Sequence, residues 1–196
     1  MTQQRRLRIL GLDPAAAGAT GYGVVESDGR TSRALTFGAM KPRRTAQSAL
    51  RLREIHARVA ELIEQHAPDV VALESVFSAL NVRTALLLSE VRGVILLAAA
   101  ERNIPVHSYS PREVKSSVAG YGHASKEQVQ QMVRAELHLA EAPQPADASD
   151  ALAVALCHVH LSEANARIAA ALGPNVVLPA QATRRRSPLR AARIRA

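Results

Sequence analysis

Apolar and polar positions divide this chain into segments with two different periods. Short apolar runs bounded by turn residues predict β-strands. The predicted strands are 7–12, 21–26, 33–40, 69–76 and 104–109. Because the first three are joined by short connections, we expect them to form an antiparallel meander.

Other segments repeat their apolar residues at helical spacing. From Thr45 to His66 this repeat predicts an amphipathic helix that ends at Pro68. Further helices are predicted at about 81–102, from 111, from 126 and from about 146 to 172. This order of elements predicts an α/β domain, a mixed five-stranded sheet flanked by helices.

Length and composition favour a folded domain without a membrane span or a disulfide. The chain has 196 residues, 47% of them hydrophobic, which is enough for one domain or one domain and a tail. No apolar run reaches the roughly 18 residues of a membrane span, and no signal peptide is apparent, so we expect a cytoplasmic protein without a membrane partner. The single Cys157 excludes a disulfide within the chain and a cysteine metal site.

Positive charge is concentrated at the C-terminus. The net charge is +8, and the final stretch "RRRSPLRAARIRA" holds six arginines and no acid, which leaves the remainder nearly neutral. We therefore expect a folded domain over 7–172 and a basic, disordered tail over 173–196. Such a tail fits contact with nucleic acid or a solubilising role.

Four acids stand at positions that favour a shared site. Asp13 ends the first strand before Pro14, and Glu74 lies in an otherwise apolar strand. Asp147 and Asp150 are three residues apart on one face at the start of the last helix. Ends of neighbouring strands and a helix start can converge on one cleft. Carboxylate ligands suit Mg²⁺ or Mn²⁺, and pairs of such ions about 3.5–4 Å apart catalyse attack on phosphodiesters.

Each acid also has a structural alternative. Asp147 can cap the final helix, and Asp150 can interact favourably with its dipole. Asp13 can form a turn with its own backbone. Glu74 can occupy a solvated edge position. Taken together, the four positions favour a metal site.

Several segments resemble one family in the same order and spacing. The segments are "ILGLDP", "TGYGVV", "ALESVF", "LSEVRGVILLAA", "YSPREVKSSVAGYGHASKEQVQQMV" and "PADASDALAVALCH", between Ile9 and His158. They resemble the RuvC family of bacterial crossover (Holliday) junction endodeoxyribonucleases. The resemblance implies an RNase H-like fold, a homodimer, and two Mg²⁺ ions per active site for which Mn²⁺ can substitute. It also implies that Asp13, Glu74, Asp147 and Asp150 are the metal ligands.

The family's activity is resolution of four-way DNA junctions in homologous recombination and DNA repair. The resemblance implies paired, symmetric phosphodiester hydrolysis that leaves 5′-phosphate and 3′-hydroxyl ends. It implies that Lys115 and Lys126 contact phosphate beside the active site, where one can stabilise developing charge, and that Phe77 stacks on a base. Solvated lysines and a core phenylalanine are the structural alternatives. The RuvA–RuvB branch-migration complex is the implied protein partner.

The loop after Asp13 departs from the family pattern. Ala15 stands where the family usually has glycine, and the segment "DPAAAGAT" is one residue longer. We expect Gly18 to supply the backbone freedom, and a bulge in the first hairpin to absorb the extra residue without moving Asp13.

Two alternative functions remain open for this sequence. One is a catalytically silent junction-binding protein of the same fold. The other is an RNase H-like nuclease with another substrate. The opening segment also looks like the first phosphate loop of actin-like ATPases, but those folds need a second domain for which 196 residues leave no room.

Overall fold

A computed structural model describes residues 6–16, 18–42, 47–75 and 81–172 of the chain. Its strands are β1 (Leu7–Asp13), β2 (Thr20–Ser27), β3 (Ser32–Met40), β4 (Val70–Glu74) and β5 (Val106–Tyr109). Its helices are α1 (Ser48–His66), α2 (Val82–Ala100), α3 (Pro111–Ala119), α4 (Lys126–Glu136) and α5 (Ala146–Leu172).

The strands form one mixed sheet in the order β3-β2-β1-β4-β5. The pairs β1–β2 and β2–β3 are antiparallel, whereas β1–β4 and β4–β5 are parallel. The predicted five-stranded mixed sheet and its opening meander are therefore confirmed. Strand β5 begins at Val106 rather than at the predicted Ile104, because the intervening Pro105 has no N–H to donate to the ladder.

Side-chain alternation along the strands produces two apolar layers. Leu12 and Leu73 pack with α1 and α2 on one face of the sheet. Ile9 and Ala72 pack with α3, α4 and α5 on the other face. Since successive strand residues point to opposite faces, Asp13 and Glu74 fall on the face that carries α5.

Helix α5 approaches this face closely because the sheet presents glycines to it. A Cβ added at Gly11 would lie 2.2 Å from the Ala151 carbonyl oxygen, and one at Gly21 would lie 1.9 Å from the Asp147 carbonyl oxygen. Gly21 is the partner of Asp13 in the β1–β2 ladder. The close approach therefore brings the first turn of α5 beside the end of β1.

The loop after β1 differs from our expectation. The β1–β2 ladder pairs without interruption up to Asp13 opposite Gly21, so the expected bulge in this hairpin is wrong; the register shift lies in β2–β3. Gly18 does not adopt the left-handed region, which among the described glycines is occupied by Gly29 and Gly120. The segment between Asp13 and Gly21 lies beyond the last pair of the β1–β2 ladder, so its length does not change the register of that ladder.

The chain divides into two units by its internal packing. The first is Met1–Glu163 and the second is Ala164–Ala196, of which the structure describes the last residues of α5. The predicted tail, 173–196, lies outside the described residues. Within the described ranges, none of the helices has the length and apolar character needed to cross a bilayer.

A buried carboxylate, Glu26, binds several arginines at the end of the β1–β2 ladder opposite to Asp13. Glu26 on β2 is only 4% exposed and accepts hydrogen bonds from Arg8 (2.9 Å), Arg33 (2.7 Å) and Arg6 (3.0 Å). The bond from Arg8, together with those from Arg33 and Arg6, lowers the pKa of Glu26 to about 2. A buried acid with several cationic donors is stabilised in its ionised form.

We predict that Glu26→Gln lowers the free energy of unfolding at pH 7 by about 1–3 kcal/mol. Because the pKa of Glu26 is lower in the folded protein than the ordinary 4.5, its stabilisation is complete above about pH 4.5 and is lost as the pH falls towards 2. Urea titrations at pH 7 and pH 3 should show a smaller acid-induced loss for the variant. Glu61→Gln, at an exposed acid on α1, is the control. Equal acid dependence in Glu26→Gln and the unmodified protein would contradict the assignment.

Candidate active site

Two of the predicted acids meet where the parallel strands β1 and β4 end. The β1–β4 register pairs Leu12 with Leu73, and the next residues are Asp13 and Glu74. The two side chains point to the same face of the sheet and are hydrogen-bonded to each other. Sheet register therefore brings Asp13 and Glu74 to adjacent strand ends on one face of the sheet.

Helix α5 contributes two further acids from the same face. Asp150 lines a cavity of about 230 Å³ together with Asp13 and Glu74. Asp147, one turn earlier, does not line the cavity, but its charge acts on Asp13. The complete lining consists of Asp13, Glu74, Pro111, Val114, Lys115, Lys126, Val129, Asp150, Ala153 and Val154.

The cluster of acids carries more negative charge than its surroundings balance. Burial, the hydrogen bond with Glu74 and the charges of Glu74, Asp150 and Asp147 raise the pKa of Asp13 far above its usual range. A proton on Asp13 relieves part of this repulsion. The arrangement consequently favours any cation that can replace that proton.

Two lysines reach the cavity from separate helices. Ser125 caps α4 in a capping box with Gln128, which places Lys126 at the first helical position. The Lys126 Nζ lies 2.6 Å from Asp150 Oδ2, and this contact raises the pKa of Lys126. Lys115, on α3, lines the same cavity. The predicted Lys115 and Lys126 thus line the same cavity as Asp13, Glu74 and Asp150. The predicted Phe77 lies outside the described residues.

These residues fit a divalent cation by the chemistry of their donors. Asp13, Glu74 and Asp150 offer hard carboxylate oxygens from two strand ends and a helix. Within the described ranges, no three His, Cys, Asp or Glu side chains surround a common ion position as they stand. Asp13 instead bonds to Glu74, and Asp150 bonds to Lys126. A bound cation would replace these two contacts.

Buried hydrogen bonds attach α5 to the elements behind the site. Tyr109 Oη on β5 lies 2.6 Å from His158 Nδ1 in a buried hydrogen bond, and burial lowers the pKa of His158 to about 4, which favours the neutral ring. His160 lies 2.6 Å from Glu136 of α4 and 3.1 Å from Ser117 of α3. These contacts fix α5 relative to β5, α3 and α4.

Two arginines bind backbone at the strand ends, and the sequence patterns did not identify them. Arg92 of α2 donates to the Glu74 carbonyl oxygen and to Ser108 Oγ. Arg51 of α1 donates to the carbonyl oxygens of Ala15 and Ala16. The sequence feature that could have indicated a role for Arg92 is its position as a charged residue inside a strongly apolar helix. No sequence feature indicated a role for Arg51, because arginines on an amphipathic helix are usually solvated.

The sequence of the chain also matches one known protein family. The family described as "Crossover junction endodeoxyribonuclease RuvC" matches residues 9–158. The chain belongs to this RuvC family. The predicted resemblance is therefore confirmed.

Relatives and solved structures support the same assignment. A RuvC of Alkaliphilus metalliredigens is 45% identical over 152 residues, which cover 78% of this chain and 92% of the relative. A RuvC of Thermomicrobium roseum is 48% identical and covers 81% of this chain and 96% of the relative. The structure of T. thermophilus RuvC in complex with a Holliday junction substrate superposes with a TM-score of 0.77 at 37% identity, covering 81% of this chain and 96% of that one. The predicted RNase H-like fold is thereby confirmed.

We predict that Asp13→Asn raises the melting temperature in EDTA by about 2–6 °C, because it removes a carboxylate from a buried, crowded cluster. The same variant should lose the rise in melting temperature that Mg²⁺ or Mn²⁺ gives to the unmodified protein. Thermal unfolding with and without metal measures both effects. Asp28→Asn, at an exposed turn, is the matched control. A lower melting temperature in EDTA with an unchanged metal effect would contradict the prediction.

Proposed function

We propose that this chain is a crossover junction endodeoxyribonuclease that resolves four-way (Holliday) DNA junctions. The observation that carries the proposal is one cavity that holds three acids and two lysines, in a chain that belongs to the RuvC family. The enzyme is a divalent-metal-dependent nuclease, a hydrolase that acts on phosphodiester bonds. We propose homologous recombination and DNA repair as its process, and the cytoplasm as its location.

The acids are proposed as the metal ligands. Asp13, Glu74, Asp147 and Asp150 would hold Mg²⁺, two ions per site, with Mn²⁺ able to substitute. When bound, such ions supply Lewis-acid activation of the attacking water and neutralise charge at the phosphodiester. The carboxylates on β1, β4 and α5 orient this chemistry, since each is fixed on a regular element.

The lysines are proposed as phosphate contacts. Lys126 has an exposed ammonium that exchanges Asp150 for a phosphate oxygen when DNA enters, and Lys115 binds from α3. Either ammonium can stabilise charge on the phosphate as the bond breaks. Phe77 is proposed to stack on a base beside the site.

The reaction balances as a hydrolysis. The water oxygen bonds to phosphorus, and the bond from phosphorus to the 3′ oxygen breaks. One water proton ends on the leaving 3′ oxygen, so the products are a 5′ phosphate and a 3′ hydroxyl. Two symmetric cuts of this kind convert one junction into two duplexes.

An exposed apolar stripe on α2 supports a homodimer. The stripe follows a spacing of four and three residues and consists of Val82, Leu86, Ser89, Gly93, Leu96 and Ala100, all exposed. Val82 is 75% exposed and Leu86 62%, and a Cβ at Gly93 would meet nothing within 4 Å. This spacing is that of a helix packing against another helix, with Gly93 allowing close approach. We propose a second copy of the chain as its partner, because two symmetric cuts need two active sites.

Further assignments are also proposed for the chain as a whole. Residues 7–172 would form the nuclease domain, and 173–196 would be a basic tail. The RuvA–RuvB branch-migration complex is the proposed protein partner.

Cleavage of a synthetic four-way junction tests the proposed activity. Mg²⁺ or Mn²⁺ should produce paired symmetric nicks on the junction and none on a linear duplex of the same sequence. Asp150→Asn should abolish cleavage, since a proposed ligand is lost, while Asp28→Asn should cut normally. Binding without cutting would favour the silent junction-binding protein. Cutting of the linear duplex at the same rate would favour a nuclease with another substrate.

Sedimentation tests the proposed dimer. We predict that Leu86→Asp converts a dimer into a monomer at micromolar concentration, because it buries two unpaired carboxylates at the stripe. Met132→Asp changes a side chain that is 44% exposed on α4 and should leave the sedimentation coefficient unchanged. An unchanged coefficient for Leu86→Asp would contradict the assignment of α2 as the interface.

A further inference from the structure

Arg51 is attached to the backbone that follows Asp13. Its Nη2 donates to the Ala15 carbonyl oxygen at 2.7 Å, and its Nη1 donates to the Ala16 carbonyl oxygen at 2.5 Å. These carbonyls lie two and three residues after Asp13. One guanidinium on α1 therefore binds two consecutive carbonyl oxygens of the loop that follows Asp13.

Arg92 makes the corresponding attachment at the neighbouring strand. Its Nη1 donates to the carbonyl oxygen of Glu74 itself, and its Nη2 donates to Ser108 Oγ at 3.1 Å. Ser108 lies on β5, the strand that pairs with β4. A single side chain on α2 thus adds a link between the end of β4 and β5, which the ladder already pairs at Glu74 and Tyr109.

Both arginines bind backbone just beyond the last pair of the β1–β4 ladder. The last backbone pair between β1 and β4 is Leu12 with Leu73, so the ladder does not join Asp13 to Glu74 directly. Helices α1 and α2 pack together on the sheet face opposite to the acids. The arginines reach the strand ends from that side, and neither lines the cavity.

We propose that Arg51 and Arg92 are a pair of positioning residues that fix the backbone at Asp13 and Glu74 and thereby set the spacing of their carboxylates. This inference rests on the proposed metal-binding role of the site. The planar guanidinium suits the task because it presents several donors in a fixed fork, whereas a lysine ammonium cannot reproduce both bonds in the same geometry. The arginines support the ligands without touching DNA or the reacting atoms.

Binding of Mn²⁺ to the full-length protein without DNA tests the proposal, with free Mn²⁺ measured by electron paramagnetic resonance. Arg51→Gln and Arg92→Gln should each weaken Mn²⁺ binding by about 10–100-fold. Arg51→Lys and Arg92→Lys should recover part of that loss. Arg102→Gln is the matched control, because Arg102 bonds to a helix carbonyl and to Glu64 at the other end of α1 and α2.

Kinetics on the junction separate positioning from DNA contact. Both Gln variants should lower kcat by about 10–100-fold with a junction Kd within about twofold of the unmodified protein. Melting temperatures are measured alongside. Unchanged Mn²⁺ affinity with a lower melting temperature would overturn the proposal in favour of a structural role. Unchanged Mn²⁺ affinity with a weaker junction Kd would overturn it in favour of DNA contact.

The proposed function and this inference fail in different ways. If the unmodified protein binds Mn²⁺ but cuts no junction, while the variants bind Mn²⁺ more weakly, positioning stands and the substrate assignment falls. If the unmodified protein cuts junctions and the Gln variants bind Mn²⁺ and cut as it does, the positioning role falls and the function stands.

Discussion

Close contact between the backbone of α5 and the strands β1 and β2 is the constraint on which the site depends. Gly11 and Gly21 leave no side chain between the sheet and the helix, and any Cβ there would collide with helix carbonyls. Because Gly21 is the partner of Asp13, this contact places the acids of α5 against the end of β1. The fold and the candidate site therefore both require glycine at positions 11 and 21, where α5 contacts the sheet.

The same packing explains the unfavourable electrostatics of the cavity. Acids on β1, β4 and α5 converge where burial and mutual repulsion raise the pKa of Asp13. Contacts elsewhere hold them together, including the Tyr109–His158 hydrogen bond and the shared attachment of His160 to α3 and α4. A stable frame that concentrates like charges favours the binding of a cation.

Much of this arrangement could be predicted from local patterns. The apolar run that ends in Asp13 and the internal Glu74 of β4 identified two acids, and sheet alternation explains why they share a face. The three-residue spacing of Asp147 and Asp150 predicted a common helix face. The hydrogen bonds from Arg51 to the loop after Asp13 could not be predicted, because they depend on how α1 packs in the folded chain. The expected bulge was wrong because the longer segment lies between Asp13 and Gly21, beyond the last pair of the β1–β2 ladder.

The central claim is that acids from two strand ends and one helix form a single cation site. Anomalous diffraction from crystals grown with Mn²⁺ tests it most directly. The account predicts an anomalous peak in the cavity, coordinated by Asp13 and by acids of β4 and α5, that is lost in Asp13→Asn. Full occupancy of Mn²⁺ elsewhere, with none in this cavity, would contradict it.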